Sequence, residues 1–484
     1  MLYDLTWLKA GNTFPPKCEL ERLKKYTDCR QLYEGNTQEV LLPYKQRINQ
    51  IIARFDDVTS FQTELNYHKL ITMKTGDLVC GEPPTITYGK IGEGIGGLAE
   101  ETQLYSKLTS LVCDTSSLGD GVARIKRRKD NKNDFVVIDP SMWFPIVNRE
   151  DPNEVFFHVL AWVETIESQN NFQDNVYFLN IQIHEKGSYI RRQYKLKKNE
   201  ISQHVSQYDG EFQFVTYKIL EQTLADEKIP TGLDDFAIVS FHNTHQSDTI
   251  YGQSDYDIVT PIIAELEVRY ALESLILDKH TAPSMYAPIS AMVAQPDGEW
   301  SLRPGAAFPV GEGEQAPGYI TWDASLAANH EMITRLEKHL YSLSEMGAII
   351  NDDCFGASQG YEALKVRMTN ARLKARRLTT QLTRPLKKLI ALLSESGYTK
   401  ISEQEINIFW NDGIPNDEKL ETEIAVMKKE GGLFDTKTLL MEHFSKSEEE
   451  AEEIIERRDE ENIESGTGGF YGGSGGLTDD GTEE

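Results

Sequence analysis

Apolar positions recur every three or four residues over 19–33, 38–55 and 60–77. That spacing puts them on one face of a helix, and Gly81, Pro83 and Pro84 stop the third segment. Beyond Gly121 the pattern changes. Residues 122–126, 135–138, 154–164, 176–184, 188–196 and 212–218 are short runs rich in β-branched and aromatic side chains, separated by Asp, Asn and Gly turns, and they predict strands. Helices followed by such a series of strands imply an antiparallel sheet beside helices, an α+β fold.

The second half returns to helical spacing. A helix is predicted over 255–280, with Ser254 and Asp257 placed as a capping box and Thr260 before Pro261 as an alternative start. Its apolar residues fall on several sides (Ile258, Ile262 and Leu266; Val268, Leu272 and Leu275; Leu277), so several packing neighbours are expected. Residues 281–323 are rich in Pro and Gly, with strand-like pieces at 285–289, 300–303 and 319–322, and 324–345 is helical again. After a loop containing Gly and Asp, a helix runs from Tyr361 to Ser396. Pro385 inside it predicts a kink near 381–385, because proline lacks a donor and clashes with the preceding turn. A strand at 405–410 precedes helices at 416–430, 435–444 and 447–463, and residues 465–484 have the Gly-rich, acidic composition of a disordered tail.

Charge is arranged in blocks over this layout. Between Tyr361 and Lys388, nine Lys or Arg stand against the single acid Glu362, in a 484-residue chain whose net charge is -27. From Ile401 onward there are 24 acidic side chains and 7 basic ones. A balance this negative opposes general adhesion to DNA or to anionic membranes, but it does not forbid a channel through which DNA slides, where a repulsive wall avoids braking contacts. No apolar run approaches bilayer length and the first residues lack the form of a signal peptide, so synthesis and retention in a cytoplasm are expected. Five scattered cysteines, Cys18, Cys29, Cys80, Cys113 and Cys354, without a CxxC pair, fit free thiols in a reducing compartment. The length exceeds the roughly 250–300 residues that one core serves, so more than one packed region is expected.

Three motifs suggest chemistry. Gly92, Gly94 and Gly97 match dinucleotide-binding spacing after a strand-like TITY, but the following strand, VARIKRRK, ends in bases rather than the acid that would hold a ribose; a linker is the preferred reading. Gly356, Ser358 and Gly360 match a nucleophile elbow, although the only later histidine is His443, and Ser358 serves better as a helix N-cap. His242 and His245 lack further metal-ligand partners nearby and read as a loop pair. The basic helix carries Lys365, Arg367, Arg372, Lys374, Arg376 and Arg377 around its circumference with no interleaved aromatics. Contact with acidic helices of a neighbouring subunit is therefore preferred over direct nucleic-acid binding.

The order of these segments resembles the portal proteins of tailed double-stranded DNA bacteriophages. The resemblance spans roughly residues 30–465 and is carried by NYHKLITMKTGDLVCGEPP (66–84), VVIDPSMWFPIV (136–147), GQSDYDIVTPIIAELEVRYAL (252–272) and SQGYEALKVRM (358–368). It implies a wing over 1–254 with a wing strand in 398–415, stem helices at 255–280 and 324–345, a clip at 281–323, a tunnel loop at 346–360, a long kinked basic helix at 361–397 and crown helices at 416–464. It also implies a dodecamer in the virion, at the portal vertex of the capsid, with thirteen-fold rings outside it. Double-stranded DNA would lie in the channel without sequence specificity. The terminase large subunit, the head-tail connector, and the major capsid and scaffolding proteins would be partners. Ile350, Asn351, Asp352 and Asp353 become candidates for the channel-facing loop, and Trp300, Arg303, Phe308 and Trp322 for clip contacts. No catalytic residue, cofactor, metal or membrane is expected. A non-viral ring or scaffold, and a hydrolase using Ser358, are the alternatives.

Overall fold

The computed structural model of the chain describes residues 1–37, 40–41, 43–44, 46, 50, 63–89, 93–166, 175–199, 202–206, 210–244, 246–281, 285–286, 292–294, 300–302, 318–319, 326–350, 366–411, 427, 436–438 and 451–458. They fall into two units, Met1–Gly413 and Ile414–Glu484. In the first unit, helices α1 (Leu20–Glu34), α2 (Tyr67–Cys80), α3 (Gly96–Thr102) and α4 (Leu104–Leu118) precede the main strands. Helices α5 (Tyr256–Thr281), α6 (Leu326–Ser344), the single turn α7 (Gly347–Ile350) and α8 (Thr369–Ser394) follow them.

The strands form an antiparallel six-stranded sheet ordered Thr13–Phe14, Tyr217–Pro230, Ser188–Lys198, Val176–Glu185, Val155–Ile166, Trp143–Val147. A three-stranded sheet, Ile238–His242, Asp120–Arg127, Asn133–Ile138, lies beside it, and Trp143, Leu160, Val122 and Ile238 share one buried cluster. The α+β expectation is met. A third sheet joins distant parts of the chain: Ile406–Phe409 pairs antiparallel with Thr85–Tyr88, which pairs with Glu93–Gly94. Within the excursion after α5, Met285–Tyr286 pairs with Gly318–Tyr319 and Met292–Ala294 with Trp300–Leu302, two nested antiparallel ladders.

Helix α8 owes its place to a stripe. Leu378, Leu382, Leu386, Leu389, Ile390 and Leu393 recur at helical spacing and are all buried, with Leu104, Leu108, Leu111, Phe135 and Ile406 in the same cluster. Helices α5 and α6 share a smaller cluster through Ile263, Leu266, Ile333 and Leu340, and Tyr270 Oη donates to Glu337 Oε1 at 2.7 Å between them. In the second unit, the described residues 427, 436–438 and 451–458 are helical, and Lys437 pairs with Glu452 at 2.6 Å. Among the described residues, no helix is long and apolar enough to cross a membrane.

Several boundaries differ from expectation. The third helix begins at Tyr67, not near Ser60: residues 63–66 are not helical, and Asn66 Oδ1 accepts from Lys69 N at 3.0 Å as its cap. The box at Ser254 and Asp257 does not form. Ser254 Oγ accepts from Tyr256 N and donates to Ser117 O, while Asp257 pairs with Lys25. The strand expected over 212–218 is two strands, Gly210–Phe214 and Tyr217–Pro230, because Thr216 turns aside to bond Asn199. Trp143–Val147 and Ile238–His242 are strands without an alternating pattern to reveal them; the first is buried at every position. The segment 94–97 does not lie in a parallel βαβ unit, since Thr85–Tyr88 has antiparallel neighbours on both sides, and a Cβ on Gly94 or Gly97 would meet nothing within 4 Å. The helix after residue 360 is described from Val366 and continues through Pro385 to Ser394.

Candidate functional site

The polar groups gathered where α5 begins, α6 ends and α8 begins form the candidate site. Its foundation is the elbow that starts α5. Gly119, at the end of α4 with φ +95°, meets Gly252 back to back, and a Cβ added at Gly252 would stand 2.2 Å from Gly119 O. Only two glycines allow this approach. Buried Asp120 secures it by accepting from Gly252 N at 2.9 Å, from Tyr26 Oη, and through a 2.6 Å contact with His242 Nδ1. His242 Nε2 lies 3.0 Å from Ser240 Oγ, so this histidine serves the elbow; His245 is outside the described residues, and no cluster suited to a metal occurs among those described. Burial and the Asp120 carboxylate push the Tyr26 phenol well above its usual range, and burial pushes the Cys29 thiol up to about 12.

Asp255 follows directly. Its backbone N donates to Ser116 O at 2.9 Å, and its carboxylate accepts from Ser116 Oγ at 2.6 Å and from Asn243 Nδ2 at 3.0 Å. The third donor to the carboxylate is Lys374, whose Nζ lies 3.0 Å from Asp255 Oδ2 and also donates to Ser344 O, at the last turn of α6, at 3.3 Å. Lys374 is only 8% exposed. One turn on, Arg377 pairs with Glu345 across the surface, and Glu345 has φ +59°, the left-handed conformation that ends α6. Met346 is then buried, α7 closes on it with Ile350 N bonding Met346 O at 3.0 Å, and a Cβ on Gly347 would stand 2.6 Å from Tyr341 Cβ. A cavity of about 320 Å³ beside these groups is lined by Asn243, Gln253, Asp255, Ser344, Lys374 and Arg377, with the apolar Ile258, Leu343 and Leu378.

Of the six basic residues singled out on this helix, the structure therefore brings Lys374 and Arg377 into ion pairs within the chain. Arg376 is exposed, Arg367 and Arg372 lie on the same helical stretch, and Lys365 is outside the described residues. Of the channel candidates, Ile350 ends α7, while Asn351, Asp352 and Asp353 lie outside the described residues. Trp300 pairs with Ala294 in the excursion; Arg303, Phe308, Trp322 and Ser358 are outside them. Sequence reasoning missed Asp255, Ser116, Asn243 and Glu345. One signal was present: Lys374 continues the four-residue stripe of Leu378, Leu382 and Leu386, so it faces inward.

Among solved structures, the chain is similar to a chain from the neck of a native GTA particle computed with C12 symmetry, at TM-score 0.40 and 10% identity over 78% of this chain and 89% of that one. It is similar to another from the neck of an empty GTA particle computed with C6 symmetry, at TM-score 0.40 and 11% identity over 90% and 95%. No curated protein matches. Residues 290–464 match the family described as phage portal protein, SPP1 Gp6-like, and the chain's resemblance to portal proteins, read first from its sequence, stands on that match.

Proposed function

We propose that the chain is a portal subunit, one copy of a homo-oligomeric ring, taken as a dodecamer in the virion, that surrounds a channel for genome entry and exit at one capsid vertex. The observation that carries this is the family match over residues 290–464, a stretch that includes most of the excursion, helix α6, the loop and helix α8. In this reading residues 1–254 with Ile406–Phe409 are the wing, α5 and α6 the stem, 281–323 the clip, 346–360 the channel loop and 416–464 the crown. Two features of the fold agree with it. The strand at 406–409 returns to pair with Thr85–Tyr88, and nested ladders close the excursion between the two stem helices.

The chemistry asked of such a ring is electrostatic rather than catalytic. Asn351, Asp352 and Asp353, repeated around an axis, would present an acidic collar that repels phosphates and centres a duplex without gripping it. ATP hydrolysis would belong to a terminase large subunit docked at Trp300, Arg303, Phe308 and Trp322, where a head-tail connector would later bind. Capsid and scaffolding proteins would hold the outer rim.

The test is the native mass of the purified full chain, with negative-stain images of the same fraction. Rings of about twelve 54.9 kDa subunits around an axial hole are expected. A monomer or dimer that stays so when scaffolding protein is added would remove the portal reading.

A further inference from the structure

The described residues stop at Ile350, after α6, and resume at Val366, ahead of α8, and both flanks meet at Lys374, which pairs with one carboxylate. On the α6 side, Ser344 O accepts from Lys374 Nζ at 3.3 Å, and Gly347 packs against Tyr341 with no room for a side chain. On the α8 side, Lys374 itself lies five residues into the helix and pairs with Asp255 at 3.0 Å. Asp255 is not free to follow either flank, since Ser116 and Asn243 hold its carboxylate and Ser116 O holds its backbone. The Gly119–Gly252 contact fixes the backbone just before it.

We propose that Lys374 is a positioning residue that ties residues 344–350 and the first turns of α8 to Asp255, so that one ion pair sets how these two flanks are placed relative to each other. An ammonium suits this place better than an apolar group of equal length. It reaches a carbonyl at the end of α6 and a carboxylate just before α5 at once, and its buried methylene stem continues the apolar stripe of α8. Arg377 and Glu345 add an outer pair exposed to solvent, which closes the turn without anchoring it to the core. The cavity of about 320 Å³ beside Lys374 gives the flanks room to shift once the inner pair is lost. The channel role of the loop 346–360 rests on the portal reading; the tie itself does not.

The experiment is hydrogen exchange on the full chain carrying Lys374→Met, Lys374→Arg, or Asp255→Asn with Lys374→Met. The double variant removes both charges, so no lone buried carboxylate is left to unfold the protein. Amides of 345–350 and 366–372 are expected to exchange roughly tenfold faster in both Met variants, with the strand Val176–Glu185 unchanged and Lys374→Arg close to wild type. Unchanged exchange at both flanks in the double variant would overturn the proposal. So would acceleration spread equally into the strand Val176–Glu185, which marks general destabilisation. Ring mass, measured on the same samples, reports separately on the portal reading.

Discussion

The two halves of helix α8 are held by different physics. From Leu378 to Leu393 the helix is fastened by a stripe of buried leucines against α4 and two of the sheets. From Arg372 to Arg377 it is fastened by charge: Lys374 inside, Arg377 outside, each reaching the end of α6 or the start of α5. Apolar burial is insensitive to direction, whereas an ion pair with a carbonyl at its side fixes an angle and a distance. The second half of the helix therefore holds it to the body, and the first half joins it to the end of α6 and the start of α5.

Acid should break the comparison first, and from the apolar side. His158 and His184 face each other across neighbouring strands, and burial depresses both to about 3, with the cations Lys388 beside His158 and Arg124 beside His184 adding to the shift and Asp235 opposing it at His158. His158 packs edge-on against Phe236, next to the Asp235–Lys388 pair that lies on the leucine-rich half. Free histidine titrates near 6.5, so below that pH the unfolded chain binds protons that the folded one refuses. Stability is expected to be undiminished above about pH 6.5 and to fall continuously towards pH 3, by several kcal/mol in total. Thermal melts across that range, repeated with His158→Gln, measure it; a flat profile between pH 6.5 and 4 would contradict the buried neutral state.

Leu386→Ala comes next. Its side chain is fully buried, so the loss is expected at about 2–5 kcal/mol of unfolding free energy, with exchange at residues 345–350 left near wild type. Urea unfolding gives the first quantity and exchange the second. Faster exchange at those residues without loss of stability would show that the two halves are not separable.

Much of this was legible in the sequence, for identifiable reasons. The expected bounds of α5 fall within a residue of the observed ones because its apolar residues run without a break; Val176–Glu185 and Ser188–Lys198 begin where expected and run on by one and two residues, since clear turns separate the strands. The strand Tyr217–Pro230 was mostly missed because it is exposed along most of its length, so no face of it needed apolar residues. The candidate site was the least legible part. Ser116, Asn243, Asp255, Glu345 and Lys374 come from five separate places in the chain, and their convergence is a property of packing. The sequence groups Lys374 with the basic residues expected to meet a neighbouring subunit, although its position on the leucine stripe already places it inside. The glycines of the elbow gave no hint either, since Gly252 is required by Gly119, which lies far from it in sequence.

Arg377→Ala should have the smallest effect and sharpens the contrast within the polar half. Arg377 and Glu345 are both partly open to solvent, where an ion pair competes with water and salt, so its removal is expected to change stability by less than about 1 kcal/mol. Lys374 is shielded from salt by burial. Raising the ionic strength should therefore erase the difference between Arg377→Ala and wild type while leaving that between Lys374→Met and wild type intact. Denaturant melts of the three proteins at low and high salt decide the matter. If the Lys374→Met difference also collapsed in salt, its ammonium would be in contact with solvent, and the outer and inner pairs would be one surface network rather than a clasp over an anchor.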